Sequence, residues 1–158
     1  MALPTETTGH TYGWSPNDFI QNFNCEGDND RGGANKGANE AGLAMLEGDV
    51  VEIGASYRGA VVHTTTTTTP VLGVALSDAK LNEMVPIACG PIVKCECAET
   101  VTRGNWVGSD DGEEGLIKPV TPTGGGTLRG LLGIALQDGD DGDIIAVCMK
   151  GTGVTFVS

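Results

Sequence analysis

The chain predicts an all-β fold, a β-barrel or β-sandwich built from two similar strand units, with an extended N-terminal arm carrying one short helix. Three observations predict it. First, Leu72-Gly73-Val74-Ala75-Leu76 returns 60 residues later as Leu132-Gly133-Ile134-Ala135-Leu136, with one Val-to-Ile change. Glu83-Met84-Val85-Pro86-Ile87 aligns with Asp143-Ile144-Ile145-Ala146-Val147 at the same offset, and Gly48-Asp49-Val50-Val51 with Gly104-Asn105-Trp106-Val107 at an offset of 56. A unit that appears twice reads as a duplicated β module closing one core, not as a solenoid. Second, 25 glycines and 7 prolines in 158 residues, with frequent Thr and Val, favour short strands and tight turns. Third, short apolar runs separated by turn signals follow one another from Leu43 onward, as in antiparallel barrels and sandwiches.

Residues 1–42 form the arm. They are polar, yet they hold Tyr12, Trp14, Phe19 and Phe23, four of the seven aromatics. Ser15 suits an N-cap, Pro16 the first helical position, and Asp18 a weak capping box, so a short helix is expected over about 16–23. Trp14 and Phe19 are spaced for a hydrophobic staple, and Phe19, Ile20 and Phe23 share a helical face. Such a helix is too short to stand alone, so its aromatics must dock, either on this chain's own β domain or on a neighbouring molecule. Gly27 to Gly37 reads as a flexible linker by composition.

The β domain spans 43–158, with repeat halves of about 46–98 and 101–151. Strands are expected over Val50–Ile53, from Ala60 into the threonine run Thr64–Thr69, and over Leu72–Leu76, Met84–Ala88 and Ile92–Ala98. In the last of these Val93, Cys95 and Cys97 face one way. Val101–Val107, Leu116–Val120, Leu131–Leu136, Ile144–Met149 and Gly151–Ser158 complete the second half. The threonines belong in an edge strand or loop. Trp106 and Phe156 are expected in the core or at a subunit interface.

Chemistry-bearing motifs are sparse. Cys95-Glu96-Cys97 has no second cysteine pair to complete a zinc site, so the five cysteines are read as small buried apolar groups, with Cys25 the most exposed. The odd count and the absence of signal-peptide features at the N-terminus imply synthesis in a reducing cytoplasm. His10 and His63 lack the setting of a catalytic base. The acidic turns Asp28/Asp30, Asp110–Glu114 and Asp138–Asp143 are expected to be solvated, with a weak cation site as the alternative, Asp138–Asp143 being its best candidate. Gly124-Gly125-Gly126-Thr127 lacks the lysine of a phosphate loop and is read as a connector. No catalytic residue, metal site or cofactor is expected.

Nine Lys and Arg against 21 Asp and Glu give a net charge of −12, which disfavours nucleic acid and anionic membrane surfaces as partners. No apolar run approaches the roughly 20 residues of a membrane-spanning helix.

The succession of Gly-Asp-Val-Val from Gly48, Val-Leu-Gly-Val-Ala-Leu from Val71 and Val-Pro-Ile-Ala-Cys-Gly-Pro-Ile-Val from Val85 continues in the second Leu-Gly-Ile-Ala-Leu and Gly-Asp-Ile-Ile-Ala-Val. From Gly48 to about Lys150 it resembles the head-decoration, or cement, proteins of tailed bacteriophages. The resemblance implies a non-enzymatic β-rich subunit, commonly a homotrimer, made in the host cytoplasm. It implies binding to the major capsid protein on the outer surface of a mature head, stabilising the shell across subunit boundaries. Tyr12, Trp14, Phe19, Ile20 and Phe23 are then the expected contacts with the capsid or a sister subunit. A head-fibre or adhesion module that grips host glycan is the alternative.

Overall fold

The computed structural model describes residues 20–26, 43–62, 70–110, 113, 115–121 and 130–149. The first unit contains β1 (Ile20–Cys25), β2 (Leu43–Met45), β3 (Val50–Ile53), β4 (Gly59–Val62), β5 (Gly73–Ala75), β6 (Ala79–Lys80) and β7 (Met84–Ala88). The second contains β8 (Ile92–Glu96), β9 (Trp106–Ser109), β10 (Ile117–Pro119), β11 (Leu131–Ala135) and β12 (Ile144–Met149). Among the described residues all regular structure is strand, and no helix is long and apolar enough to cross a membrane.

In the first unit β1-β4-β3-β5-β7 close into a barrel, and β2 pairs with β6 alongside. The second unit has the order β10-β9-β11-β12-β8. These orders are one order. β3 corresponds to β9, β4 to β10, β5 to β11, β7 to β12 and β1 to β8. Where β1 meets β4 in parallel through Cys25 and Ala60, Cys97 meets Ile117 in a parallel bridge. The duplication legible in the sequence therefore extends to every strand of the barrel.

The expected helix over 16–23 is corrected: Ile20–Cys25 is strand, and residues 16–19 lie outside the described residues. β1 runs antiparallel to β7 in a register from Ile20–Ala88 to Asn24–Met84, as β8 runs against β12 from Ile92–Cys148 to Glu96–Ile144. Alternation places Phe23 and Cys25 toward the core, so main-chain pairing and burial override the weak helix-start signals. The last six described-strand residues of the segment read as an arm are thus barrel wall. Likewise Ile92–Glu96, read as the end of the first half, opens the second sheet. Cys25 is fully buried, as the reading of the cysteines as small apolar groups expects, and it is not the most exposed of the five, because it takes the place of Cys97 in the other unit.

The interior of each unit is filled by small and branched side chains. Met45, Val51, Ala75, Val85 and Ile87 of the first unit correspond to Val101, Val107, Ala135, Ile145 and Val147 of the second, and all are buried. Small five-stranded walls leave little internal room, which explains a core with few aromatics. Val50, Val71, Val74 and Ala88 belong to the same apolar cluster as the second unit's interior, so the two units share one buried seam.

Among the described residues a single turn design is used four times. In Leu46–Asp49, Lys80–Glu83, Thr102–Asn105 and Asp140–Asp143 the fourth residue's N–H donates to the first residue's carbonyl at 2.9–3.1 Å. The fourth side chain accepts the first residue's N–H in return, at 2.7 Å for Asp49 and 2.9 Å for Glu83, Asn105 and Asp143. The third residue has positive φ and is Gly48, Asn82, Gly104 or Gly142, which this turn geometry favours. Asp78 and Asp138 add the same brace in both units, accepting the N–H of Glu47 at 2.8 Å and of Arg103 at 2.7 Å.

Candidate interaction surface

The acidic turns do structural work before any other. An open hollow of about 470 Å³ is lined by Thr100, Asp138, Asp140 and Asp143. Its carboxylates accept hydrogen bonds: Asp138 from Arg103 N–H, Asp140 from the Thr100 hydroxyl at 3.0 Å, and Asp143 from Asp140 N–H. Asp110 accepts the N–H of Glu113 at 2.7 Å and pairs with Lys118 at 2.9 Å. Among the described residues no group of three or more His, Cys, Asp or Glu is placed to hold a metal ion. His10, His63, the threonine run, Asp28/Asp30, the Gly124–Thr127 stretch and Phe156 lie outside the described residues.

Cys95 and Cys97 sit in the interior of the second unit, both fully buried. Burial pushes the Cys95 thiol strongly up, with a further push from Cys97. Burial, followed by the negative charge of Asp143, Glu96, Asp140 and Asp141, raises Cys97 from 9.0 to about 11. A thiol whose folded pKa is raised contributes stability that is complete below its unfolded pKa and is lost as pH climbs through the folded value. Chemical denaturation is therefore expected to give a flat stability up to about pH 9 and a fall from there toward about pH 11. Cys95→Ala/Cys97→Ala should flatten that fall; an identical fall in the variant would place its cause elsewhere.

Of the expected contact residues, Tyr12, Trp14 and Phe19 lie outside the described residues. Ile20 is 39% exposed at the start of β1, and Phe23 packs half-buried against the first barrel's core. β1 thus divides its side chains between the barrel and the surface.

The structure brings together an apolar surface that the sequence did not single out. Ile92 and Ile144 lie on neighbouring strands of the second sheet, 59% and 60% exposed. They line a cleft of about 490 Å³ between the units, whose other wall is Glu47, Gly48 and Leu76 of the first. Lys94 stands between the isoleucines, and its carbonyl oxygen lies 3.7 Å from where a Gly48 Cβ would sit. Met84, the counterpart of Ile144, is 57% exposed on the first barrel, and Tyr57 is 92% exposed at the tip of the β3–β4 hairpin. The hairpin is held from inside: both Glu26 carboxylate oxygens accept Ser56 N–H at 3.1 Å. Exposed apolar side chains beside a cleft make this a candidate contact surface. Their outward placement follows from strand alternation, but their grouping needs β8 and β12 to be neighbours, which the misphased repeat concealed.

No family model and no curated protein matches the chain. Among solved structures, the chain is similar to the N base of the head fibre protein gp8.5 of bacteriophage phi29. The TM-score is 0.57 at 10% identity, over 86% of this chain and 98% of that one. At this identity the similarity is one of fold, and it covers both β units.

Proposed function

We propose that the chain is a non-enzymatic structural protein of a tailed-phage head. It binds the outer surface of the mature shell through the major capsid protein, self-associates as a homotrimer, and stabilises the shell across subunit boundaries. The observation that carries this reading is the fold shared with a phage head fibre base along nearly that whole base. Three further features agree with it. The order of motifs resembles that of head-decoration proteins. The net charge of −12 suits a surface remote from packaged DNA. The exposed apolar side chains offer contact area at about 25 cal/mol per Å² buried.

The proposed anchor to the shell is the segment before β1, with Tyr12, Trp14 and Phe19. Removing residues 1–19 spares every described strand. The shortened chain is therefore expected to keep its circular dichroism spectrum and to lose at least tenfold in occupancy on purified expanded heads in co-sedimentation. Full occupancy by the shortened chain would refute the anchor, and no sedimentation of the intact chain would refute the head-binding reading.

A second reading, that the chain is the base of a head fibre or an adhesion module, is favoured by the name of the structural neighbour. Binding of the isolated chain to host glycans on an array would select it over the cement role.

A further inference from the structure

The two units meet through unlike surfaces. The first presents the outward row Val50–Val74–Ala88, in register across β3, β5 and β7, together with the Gly48 turn and Leu76. The second presents β8 and the loop before β10, where the Gly115 carbonyl oxygen accepts Val50 N–H at 2.9 Å. A Cβ on Gly115 would lie 2.9 Å from both Asp49 Oδ1 and a Val62 methyl, so this loop is seated against the first barrel. Contact between two different faces of a repeated unit is heterologous, and each unit carries both faces.

Among the described residues one copy of each face is therefore left over. In the second unit the row equivalent to Val50–Val74–Ala88 is Trp106–Ile134–Cys148, again in register across three strands. The covered row is 0%, 0% and 6% exposed, whereas all three members of its counterpart are only half-buried. Gly48 has the second unit's Lys94 against it, while a Cβ on Gly104, its equivalent, would meet none of the described residues within 4 Å. At the other end of the chain the counterparts of β8 and the Gly115 loop are β1, with Ile20, and the β3–β4 hairpin. There Arg58 repeats the positive φ of Gly115, at 60° against 77°. Tyr57 and Ile20 are exposed on that face.

We infer that the occupant of the Trp106–Ile134–Cys148 face is a second copy of this chain, presenting its β1 and β3–β4 hairpin as the second unit presents β8 and the Gly115 loop within one chain. The operation that carries the first unit onto the second carries one copy onto the next. Copies then join head to tail, and the assembly closes as a ring or extends. Trp106 takes the interface role of Val50, and Leu136 that of Leu76. The inference deepens the self-association part of the proposed function and stands apart from head binding, because its test contains no heads.

The test uses the full chain and measures mass by sedimentation velocity. The wild type is expected to be larger than a monomer at 50 µM. Leu136→Asp and, separately, Trp106→Glu break one face; Ile20→Asp/Tyr57→Asp breaks the other. Each variant alone should be monomeric with an unchanged circular dichroism spectrum; Leu136→Asp, at a 40% exposed site, guards against misfolding of the tryptophan variant. An equimolar mixture of Leu136→Asp with Ile20→Asp/Tyr57→Asp retains one intact pair of faces, so it should form a dimer and nothing larger. A self-complementary interface gives no such partial rescue. A monomeric wild type, variants that assemble as the wild type does, or a mixture that stays monomeric would each overturn the inference.

Discussion

Gly73→Val/Gly133→Val is expected to leave the chain without a cooperative unfolding transition. These two glycines occupy the same place in the repeated Leu-Gly-Val/Ile-Ala-Leu run, and the reason is a close approach of main chains. A Cβ at Gly133 would run into the Cys148 carbonyl oxygen and lie 2.8 Å from the Cys148 carbonyl carbon and 3.0 Å from Met149 Cα. At Gly73 it would meet the Ala88 carbonyl oxygen, with Ile87 Cγ2 at 2.8 Å. The obstacle in both cases includes the backbone of the adjacent strand, β12 or β7, which cannot swing aside as a side chain would. Overpacking typically costs about 1–3 kcal/mol per site, and more where the obstacle cannot move. The two sites lie in different units, so their costs should nearly add, against a total stability of about 5–15 kcal/mol. Urea denaturation followed by circular dichroism reads the outcome: each single variant lowers the midpoint sharply and the double variant shows no folded baseline. A double variant with the wild-type midpoint would mean that the strands can separate at these positions at no cost.

The same glycines show what was legible in the sequence. The 60-residue echo is carried by positions that the barrel constrains twice over, by close approach at the glycine and by inward burial at Ala75/Ala135 and Val85/Ile145. Those constraints act on identity, so they leave a mark that a search for repeats detects. β1 was hidden because its constraints are weaker. Against its counterpart β8 it keeps isoleucine at Ile20/Ile92 and cysteine at Cys25/Cys97 but nothing between, where even the inward-facing pair is Phe23 against Cys95. The offset also changes without warning. Cys25 and Met45 are 20 positions apart, whereas Cys97 and Val101 are 4 apart, so the first unit holds 16 extra residues at this point. With the register broken, Pro16, Asp18 and the cluster Phe19, Ile20 and Phe23 gave local helix signals that nothing in the sequence opposed. Asp138–Asp143 reads as a turn in the sequence and is one in the structure, but the Asp143 carboxylate cannot be read there as a cap, because that role depends on the positive φ of Gly142 and on the Asp140 N–H three positions back.

Whether β1 belongs to the barrel has a consequence as large as that of the glycines. Deleting residues 1–26 is expected to unfold the first unit, although deleting 1–19 leaves it intact. The longer deletion removes the strand that closes the wall, leaving the edges of β4 and β7 unpaired from Gly59–Ala60 and from Met84 to Ala88. It also takes Phe23 and Cys25 from the first core and Glu26 from beneath the β3–β4 hairpin. Loss of the ring alone costs up to about 3 kcal/mol, and an open barrel edge invites pairing with other chains. The shorter chain should therefore aggregate or melt well below the intact protein, by about 10 °C or more. Amide exchange should locate the damage in β3, β4, β5 and β7 and spare β11 and β12, because β8 and the Cys97–Ile117 bridge still hold the second sheet. A peptide spanning Asp18 to Asp28 supplied in trans should restore protection in β7, since the empty place accepts a strand through main-chain hydrogen bonds. If the chain lacking 1–26 melts like the full chain, with β7 amides still protected, then β1 is an appendage to the barrel. Its surface could then not serve as one half of a head-to-tail contact, which requires the strand to be held as firmly as β8 is held in the second unit.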